Sequence, residues 1–282
     1  LNALNKRSLV KTQGGASILV PILYAKNTTF KAYSGDEVLD TQGMNGLTMA
    51  QCPFTNYGGT IVLIGPDMRK NAGQGKLRDY VKVKTMQAMM SGRDKLATDL
   101  HASTQTTGSV TCLPVLVNAT STVHDINSTT FSWWQAQTTS SGSFAGRGLT
   151  DMRAMRDTIL DASGQDGAEP DYCLTTAAVK QYYEASQVPA YRYGPTNIPD
   201  AGHSALKFSG TDVESDPNCA SGVMYMLSLK ELEFNVHSEL NWNVGKFIEP
   251  AQQDVFIAKV LWMGNLVVKN RRSQGKITSI TA

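Results

Sequence analysis

The sequence predicts an α+β fold in which strands near both ends of the chain flank one long helix. Short β-type runs crowd the first quarter, residues 75–101 show helical periodicity, and a strongly apolar strand pattern lies near the end. Of the 282 residues, 41% are hydrophobic, which is ample material for one large or two modest domains. A generally disordered chain is therefore excluded.

The segment from Ala16 to Leu63 is rich in strand patterns separated by turn residues. The strand candidates are Ile18–Tyr24, Thr28–Tyr33 and Thr60–Ile64, with Gly, Asn and Asp residues between them. Together they predict a long two-stranded excursion. Because such a hairpin has little core of its own, we expect its stability to come from another subunit.

A long helix is predicted from about Gly75 to His101. Apolar residues recur at three-, four- or seven-residue spacing and a second set widens the stripe, which predicts a helix with partners on two sides. Gly92 is the predicted bend or break. The first turns carry a basic face, which is either a solvated surface or one that lies near DNA. Its residues are Lys76, Arg78, Lys82 and Lys84.

Short elements are predicted beyond this helix. Residues 103–143 predict strands and loops, and Leu149–Leu160 has the pattern of a second amphipathic helix. Residues 142–148 lack the preceding strand and the Lys-Ser/Thr ending of a phosphate-binding loop, so they are predicted to be a flexible linker. Tyr172–Leu174 predicts a strand, and the helix after it is expected to stop at Pro189.

The closing segment carries the strongest strand pattern. From Val255 to Met263 apolar side chains fill both alternating faces, so this strand needs cover on both sides. Gly264-Asn265 predicts a two-residue turn, after which Leu266–Val268 returns as the second strand of a hairpin. The cluster Asn270-Arg271-Arg272 and a short apolar finish follow.

This order of features resembles the C-terminus of the major capsid proteins of tailed bacteriophages, which have the HK97-type fold. Further stretches match that family in the same order and extend the resemblance over most of the chain. They are Val20-Pro21-Ile22-Leu23-Tyr24, Asn27-Thr28-Thr29, Tyr33 and Gly35 before an acidic pair, Asn71-Ala72-Gly73, Trp133-Trp134 and Pro170-Asp171. The resemblance implies an HK97-like capsid fold with an extended β-hairpin loop, a long spine helix, and peripheral and axial domains.

The resemblance also implies a division of the chain. Residues 1–15 would form an N-terminal arm, and residues 16–70 the extended loop region, whose tip falls at about Ser34–Gly46. Residues 71–145 would hold the spine helix and peripheral domain, and residues 146–240 approximately the axial domain. Residues 241–282 would return to the peripheral domain and end in the closing β-hairpin. Since Leu1 is bulky, we expect that upstream residues were cleaved off or lie outside the structure.

The implied function is structural. A major capsid protein would self-assemble into the icosahedral shell that encloses the double-stranded DNA genome of a tailed phage, as part of the virion and after assembly in the host cytoplasm. Its partners would be further copies in hexamers and pentamers, portal, scaffold and decoration proteins, and packaged DNA bound non-specifically. An encapsulin-like cellular compartment shares the fold, and a hydrolase with an unrecognised site is the alternative from another class.

Six residues are candidates for the assembly interface. Four lie near the loop tip, namely Tyr33, Asp36, Glu37 and Asp40. Arg271 and Arg272 are either exposed charges or inter-subunit salt-bridge donors, a role that suits the bidentate fork of arginine. Some relatives join subunits through a lysine on this loop, but Lys26 and Lys31 lie toward its base, which argues against a covalent crosslink here.

Composition excludes several other classes of protein. The net charge of +2, from 26 basic and 24 acidic residues, provides no global field for tight nucleic-acid binding. No apolar run approaches the roughly 18 residues of a membrane span, so a soluble protein without a membrane partner is predicted. No cofactor and no catalytic residue is predicted.

The cysteines and histidines show no metal-site pattern. Cys52, Cys112, Cys173 and Cys219 stand far apart, without the paired spacing of a zinc or redox motif, and are predicted to be reduced and mostly buried. The histidines are predicted to be structural or surface residues. They are His101, His124, His203 and His237.

Overall fold

The computed structural model describes residues 10–70, 74–163, 169–191 and 206–282. The first part of the chain forms β1 (Val10–Gln13), β2 (Ser17–Leu23), β3 (Leu47–Pro53), β4 (Thr55–Ile64), α1 (Gly65–Lys70), α2 (Gln74–Leu100), α3 (Leu113–Leu116), β5 (Thr122–Val123), β6 (Ile126–Asn127) and β7 (Gln137–Ser140). The second part forms α4 (Leu149–Ser163), β8 (Tyr172–Thr175), α5 (Ala177–Tyr191), β9 (Leu206–Phe208), β10 (Thr211–Ser215), β11 (Met224–Leu227), β12 (Leu232–His237), β13 (Asn243–Val244), β14 (Val255–Val268) and β15 (Gly275–Thr278).

The described strands make two mixed sheets and two antiparallel ribbons. The first sheet has the order β1-β12-β14-β13, with β4 pairing along β14 as well. The second sheet has the order β7-β15-β11-β8-β10-β9, and β2–β3 and β5–β6 form the ribbons. Each sheet joins strands from distant parts of the sequence, so the last strands of the chain hold its early segments in place.

The three longer helices pack against the sheets. The long helix α2 lies on the β4–β14 pair, where Tyr80, Val81 and Ala88 pack against a buried cluster of Ile61, Leu63, Ala258 and Val260. The helices α4 and α5 contribute to a second buried cluster around β8, β11 and β15. These contacts follow the apolar periodicity of the helices and strands, and the predicted α+β class is confirmed.

Several elements agree with the sequence predictions. The long helix begins one residue before Gly75 and ends one residue before His101, β4 contains the strand candidate Thr60–Ile64, and β2 covers the candidate Ile18–Tyr24 except for Tyr24. The strand at Tyr172–Thr175 and the helix that starts at Leu149 are also present. Asn71-Ala72-Gly73, which belongs to the family resemblance, lies outside the described residues.

The predicted closing hairpin is wrong. β14 runs without a turn through Gly264 and Asn265, pairing with β4 as far as Gly264 and with β12 from Gly264 to Val268. Gly264 has no positive φ; instead, a Cβ there would lie 2.5 Å from the carbonyl oxygen of Asn235. The glycine therefore permits a close approach between strands, which a sequence pattern cannot distinguish from a turn.

The predicted break at Gly92 is also wrong, because α2 continues through it. A Cβ at this position would lie 2.3 Å from Cζ3 of Trp242, so the glycine makes room for an indole ring against the helix. Pro189 likewise fails to stop α5, which continues to Tyr191. Packing against Trp242 therefore explains the glycine at position 92 within a continuous helix.

Two further local predictions need correction. Residues 28–33 form no strand and belong to an irregular stretch between β2 and β3. The segment 142–148 is not a plain flexible linker, because Phe144–Gly148 forms a π-helical turn and the ring of Phe144 is buried. A Cβ at Gly148 would lie 2.4 Å from that ring, so this glycine makes room for the ring.

Candidate assembly surface

The ribbon β2–β3 has two apolar faces, of which only one is covered. Its strands pair from Ser17–Pro53 to Leu23–Leu47. Ile18, Val20 and Ile22 point into the main core, whereas the opposite face exposes Leu19, Leu23, Leu47 and Met49. A solvent-facing ribbon face is normally polar, so this apolar outer face has the composition of a contact surface.

The loop between these strands extends away from the body of the chain. Tyr24 stacks on Trp133 with ring centroids 5.0 Å apart, and its hydroxyl donates to the carbonyl oxygen of Asn45 at 2.9 Å, which fixes the base of the loop. From residue 30 to residue 45 every side chain is exposed, and Phe30 is 93% exposed. Four further apolar or aromatic side chains of the same loop are exposed with it, and such a group, unlike a single exposed residue, is typical of a contact surface: Tyr33, Val38, Leu39 and Met44.

Four of the predicted interface residues lie in or directly before the loop tip, and all of them are exposed: Tyr33, Asp36, Glu37 and Asp40. A turn closes with the Glu37 amide donating to the carbonyl oxygen of Ser34 at 2.9 Å. The Glu37 carboxylate pairs with Lys31 at 3.3 Å, an exposed ion pair of small energetic value. The structure therefore gathers these four residues on one projecting segment.

The long helix α2 presents a second exposed apolar surface. Val83, Met86 and Met90, spaced by three and four residues, form an apolar stripe on the side of α2 that faces away from β4 and β14. All three are more than half exposed, and Met90 is 64% exposed. Methionine side chains adapt to irregular partners, so this helix stripe also has the character of a contact surface.

A third apolar surface, here called the sheet patch, lies on the β4–β14 face opposite α2. It consists of Val62, Ile64, Ile248, Ile257 and Leu261. Ile248 is 69% exposed although it forms a bridge with Ile257. β14 therefore has apolar residues on both faces, as its sequence shows, but α2 covers only one of them within a single chain.

The sheet patch contains a cleft of about 440 Å³. Its floor is apolar, formed by Ile248, Pro250, Ile257 and Leu261, and Lys246 and Lys259 are the two charged residues that line it. Both lysines are exposed. The sequence prediction missed this cleft, although the two apolar faces of Val255–Met263 were a signal that a second cover is needed.

Arg271 has a different role from the predicted one. Its side chain is 0% exposed and donates hydrogen bonds to the carbonyl oxygens of Val115, Leu116, Asn118, Ser121 and Trp134, and to the Ser121 hydroxyl. A guanidinium enclosed in this way cannot reach a neighbouring subunit, so its proposed interface role is wrong. Burial lowers the pKa of Arg271 to about 10, which still leaves it charged at neutral pH.

The other basic residues predicted to face a neighbouring subunit or DNA differ in how far they are exposed. Arg272 is exposed beside the buried Arg271 and stays a candidate for an interface. Lys82 is exposed on α2, and the Lys84 ammonium lies 6.0 Å from the centroid of the Tyr80 ring. The side chains of Lys76 and Arg78 lie outside the described part of the structure.

The histidines and cysteines hold structural positions. His124 is buried and its Nε2 accepts a hydrogen bond from the Val268 amide at 3.2 Å, and burial lowers its pKa to about 4. His101 Nε2 lies 3.6 Å from an Asp216 carboxylate oxygen, and burial lowers its pKa as well. His203 is outside the described residues.

All four cysteines are buried as free thiols, and burial raises the pKa of Cys52 and of Cys173 to about 12. Among the described residues, no group of three His, Cys, Asp or Glu side chains has the geometry of a metal site.

No helix in the described ranges is long and apolar enough to cross a membrane.

Comparison with known proteins gives similarity at the level of structure. No protein-family model and no curated protein matches the sequence. Among solved structures, the subunit of the cyanophage A-1(L) capsid aligns with a TM-score of 0.71 at 15% identity, covering 97% of this chain and 90% of that one.

Two further structures, a phage capsid and an encapsulin, align over almost the whole chain. The capsid of Myoviridae phage XM1 aligns with a TM-score of 0.61 at 11% identity, covering 98% of this chain and 91% of that one. The SrpI encapsulin complex of Synechococcus elongatus aligns with a TM-score of 0.58 at 8% identity, covering 99% and 88%. At such identities the likeness shows the fold, which is the HK97-type capsid fold.

Proposed function

Because the chain has the HK97-type capsid fold, we propose that it is a major capsid protein that self-assembles into a closed icosahedral shell. The observation that carries this proposal is the uncovered outer face of the β2–β3 ribbon, which continues into a fully exposed loop. A single chain leaves these surfaces in water, whereas a lattice of copies would bury them. Its role would be mechanical containment, not catalysis.

The proposed assembly uses many modest contacts. The ribbon and its loop on one copy would contact a different surface on the next, which is a heterologous arrangement that closes when the rotations between copies form rings. Hexamers and pentamers of the same chain would be those rings. The exposed tip residues Tyr33, Asp36, Glu37 and Asp40, together with Arg272, are the proposed interface residues.

The proposed content of the shell is the double-stranded DNA genome of a tailed phage, which would place the protein in the virion. Support comes from the phage capsids among the similar structures and from the basic residues of the first turns of α2. Portal, scaffold and decoration proteins are proposed further partners, and assembly is proposed to occur in the host cytoplasm.

An encapsulin-like compartment is the second candidate, because an encapsulin subunit has the same fold with almost complete coverage. The two functions differ in what the particle holds. Nuclease-resistant double-stranded DNA in purified particles supports the phage capsid, whereas a single cargo protein without DNA supports the compartment.

Deletion of Ser34–Gly46 tests the assembly role of the loop. Every residue from Ser34 to Asn45 is exposed, and none belongs to a buried cluster, so the shortened subunit should fold and remain soluble. It should no longer build normal shells, because the reach of the loop is lost. Thermal melting of the free subunit and electron microscopy of assembly reactions are the two measurements, and normal particles from the deleted chain would contradict the proposal.

A further inference from the structure

A cavity of about 1070 Å³, here called the helix cavity, lies beneath the C-terminal half of α2. It is bounded by α2, by β12 and β14 of the first sheet, and by β8, β10 and β11 of the second sheet. Its floor is apolar and consists of buried side chains of these strands: Leu174, Leu227, Leu232, Phe234, Trp262 and Leu266. A cavity of this size and lining can hold a small organic ligand with an apolar body.

A buried ring nitrogen beside the helix cavity lacks a hydrogen-bond partner among the described residues. His101, which follows the last residue of α2, lines the cavity, and its side chain is 4% exposed. Its Nε2 lies 3.6 Å from an Asp216 carboxylate oxygen, whereas its Nδ1 is buried and unpartnered. With the ring proton on the nitrogen that faces Asp216, Nδ1 is an acceptor. A ligand that donates a hydrogen bond to Nδ1 would remove the cost of burying it alone.

The charged side chains that line the helix cavity favour a cationic ligand. Asp94, Glu214 and Asp216 supply three carboxylates. Besides His101, Arg93 is the one basic side chain among the described lining residues. An ammonium group is attracted by this excess of carboxylates, and its N–H groups are the donors that the Nδ1 atom of His101 lacks.

We propose that the helix cavity binds an amphiphilic amine, a molecule with one ammonium group and an apolar body. The body would contact Phe234, Trp262 and Leu266, and the ammonium would lie among the carboxylates, with one N–H group donating to Nδ1 of His101. Because α2 and both sheets bound the cavity, the ligand would hold these three parts in fixed positions relative to one another. Binding to the free subunit does not depend on the proposed shell function, so either can fail without the other.

Three probes with the same decyl chain test the head group: decylammonium, decyltrimethylammonium and decanoate. Calorimetry on the free, whole chain near neutral pH, below the concentration at which each probe forms micelles, measures each Kd. Decylammonium should bind at least about tenfold more tightly than decanoate. It should also bind more tightly than decyltrimethylammonium, which has the charge but no N–H donor, and it should raise the melting temperature. No binding of decylammonium, or equal affinity for decanoate, would overturn the site.

Neutral substitutions at the cavity test the attraction of its carboxylates. Asp94→Asn with Glu214→Gln should raise the Kd of decylammonium at least about tenfold, because two of the three carboxylates lose their charge. Asp157→Asn with Asp161→Asn is the matched control, since both carboxylates are exposed on α4 and neither lines the cavity. The control should bind like the wild type. Equal weakening in the two variants would indicate attraction to the overall charge of the chain and would overturn the site.

Tryptophan fluorescence locates the bound probe. Trp242 and Trp262 line the helix cavity, whereas Trp133 and Trp134 do not. A decylammonium that carries bromine at the far end of its chain should quench the tryptophans that it contacts. Trp242→Phe should reduce this quenching, and Trp133→Phe, at a similarly half-buried position, should leave it unchanged. Quenching that falls with Trp133→Phe and not with Trp242→Phe would place the probe elsewhere and overturn the site.

Residues 1–9 lie outside the described residues, and a chain that begins at Val10 tests whether they compete for the cavity. The whole chain and the shortened chain should bind decylammonium with equal affinity. Binding by the shortened chain alone would assign the cavity to the first segment of the chain itself and would overturn the ligand site.

Discussion

At the scale of single residues, Arg271 joins the closing segment to the middle of the chain. Its guanidinium binds five backbone carbonyl oxygens and one hydroxyl from residues 115–134, a stretch with little regular secondary structure. Two of these carbonyl oxygens also accept from hydroxyl groups, that of Val115 from Ser121 and that of Ser121 from Ser128, so the guanidinium completes a network that satisfies the polar backbone of this segment. The contribution of Arg271 is therefore to stability within the subunit.

Replacement of Arg271 by lysine tests this role. Lysine keeps the charge but has three donors on one nitrogen, so several carbonyl oxygens lose their partner and the free energy of unfolding should fall by roughly 3 kcal/mol. Thermal melting of the free subunit measures the change. Arg272→Lys is the matched control, because Arg272 is exposed, and it should change stability by no more than about 0.5 kcal/mol. Equal effects of the two substitutions would contradict the role of Arg271.

The burial of His124 should make the free energy of unfolding depend on pH. The pKa of this histidine is lowered to about 4 in the folded chain, below its ordinary value of 6.5, chiefly by burial and further by the charge of Arg271. The unfolded chain therefore binds this proton more readily, and the stability present above pH 6.5 is lost as the pH falls toward 4. The loss from this group is on the order of 3 kcal/mol.

A His124→Gln variant isolates that effect. Glutamine does not titrate and still offers an oxygen acceptor to the Val268 amide, so the variant should lose less stability than the wild type between pH 6.5 and 4. Melting temperature against pH is the measurement for both chains. Parallel curves over this interval would show that the histidine does not titrate on unfolding as expected.

At the scale of elements, α2 and β14 show how far a sequence pattern predicts structure. The apolar residues of α2 lie on two sides and those of β14 on both faces, as the sequence pattern predicts, but where α2 packs on β14 only one side of each element is covered and the other is exposed. The turn at Gly264 and the break at Gly92 were wrong, because both glycines accommodate residues distant in sequence, Asn235 and Trp242. A single sequence does not show which residues will approach a glycine, whereas it does show periodicity.

The substitution Gly92→Ala tests the packing of α2 against Trp242. In an exposed helix this change would stabilise the chain by about 1 kcal/mol through higher helix propensity. Here the new methyl group meets the indole ring, so a net loss of about 1–3 kcal/mol is expected. Ser91→Ala on the exposed neighbouring position should be neutral or slightly stabilising. A stabilising Gly92→Ala would contradict the proposed reason for the glycine.

At the scale of the whole molecule, the chain exposes more apolar surface than one subunit can cover. The outer ribbon face, the helix stripe and the sheet patch lie on different elements, so several neighbours can be contacted at once. In the proposed shell each contact would be modest, and the sum over a closed lattice would resist internal pressure. Loss of one contact should therefore weaken assembly gradually, while loss of the loop removes the connection between copies.

The fold class and the exposed loop could be predicted from the sequence, whereas the burial of Arg271 and the cleft in the sheet patch could not. The order of short motifs pointed to the HK97-type fold although no family model and no curated protein matches, because strand and turn signals survive where identity does not. The burial of Arg271 and the lysine-lined cleft depend on residues brought together by the first sheet and its connections. Those arrangements become visible only in three dimensions.

Electron microscopy of the purified wild-type protein at high concentration, after size-exclusion chromatography, tests the central claim most directly. A capsid subunit should form closed shells or rings of five and six copies, with the uncovered apolar surfaces buried between neighbours. A protein that remains monomeric at high concentration, both alone and with a co-expressed scaffold, would contradict the proposal that this chain builds a shell.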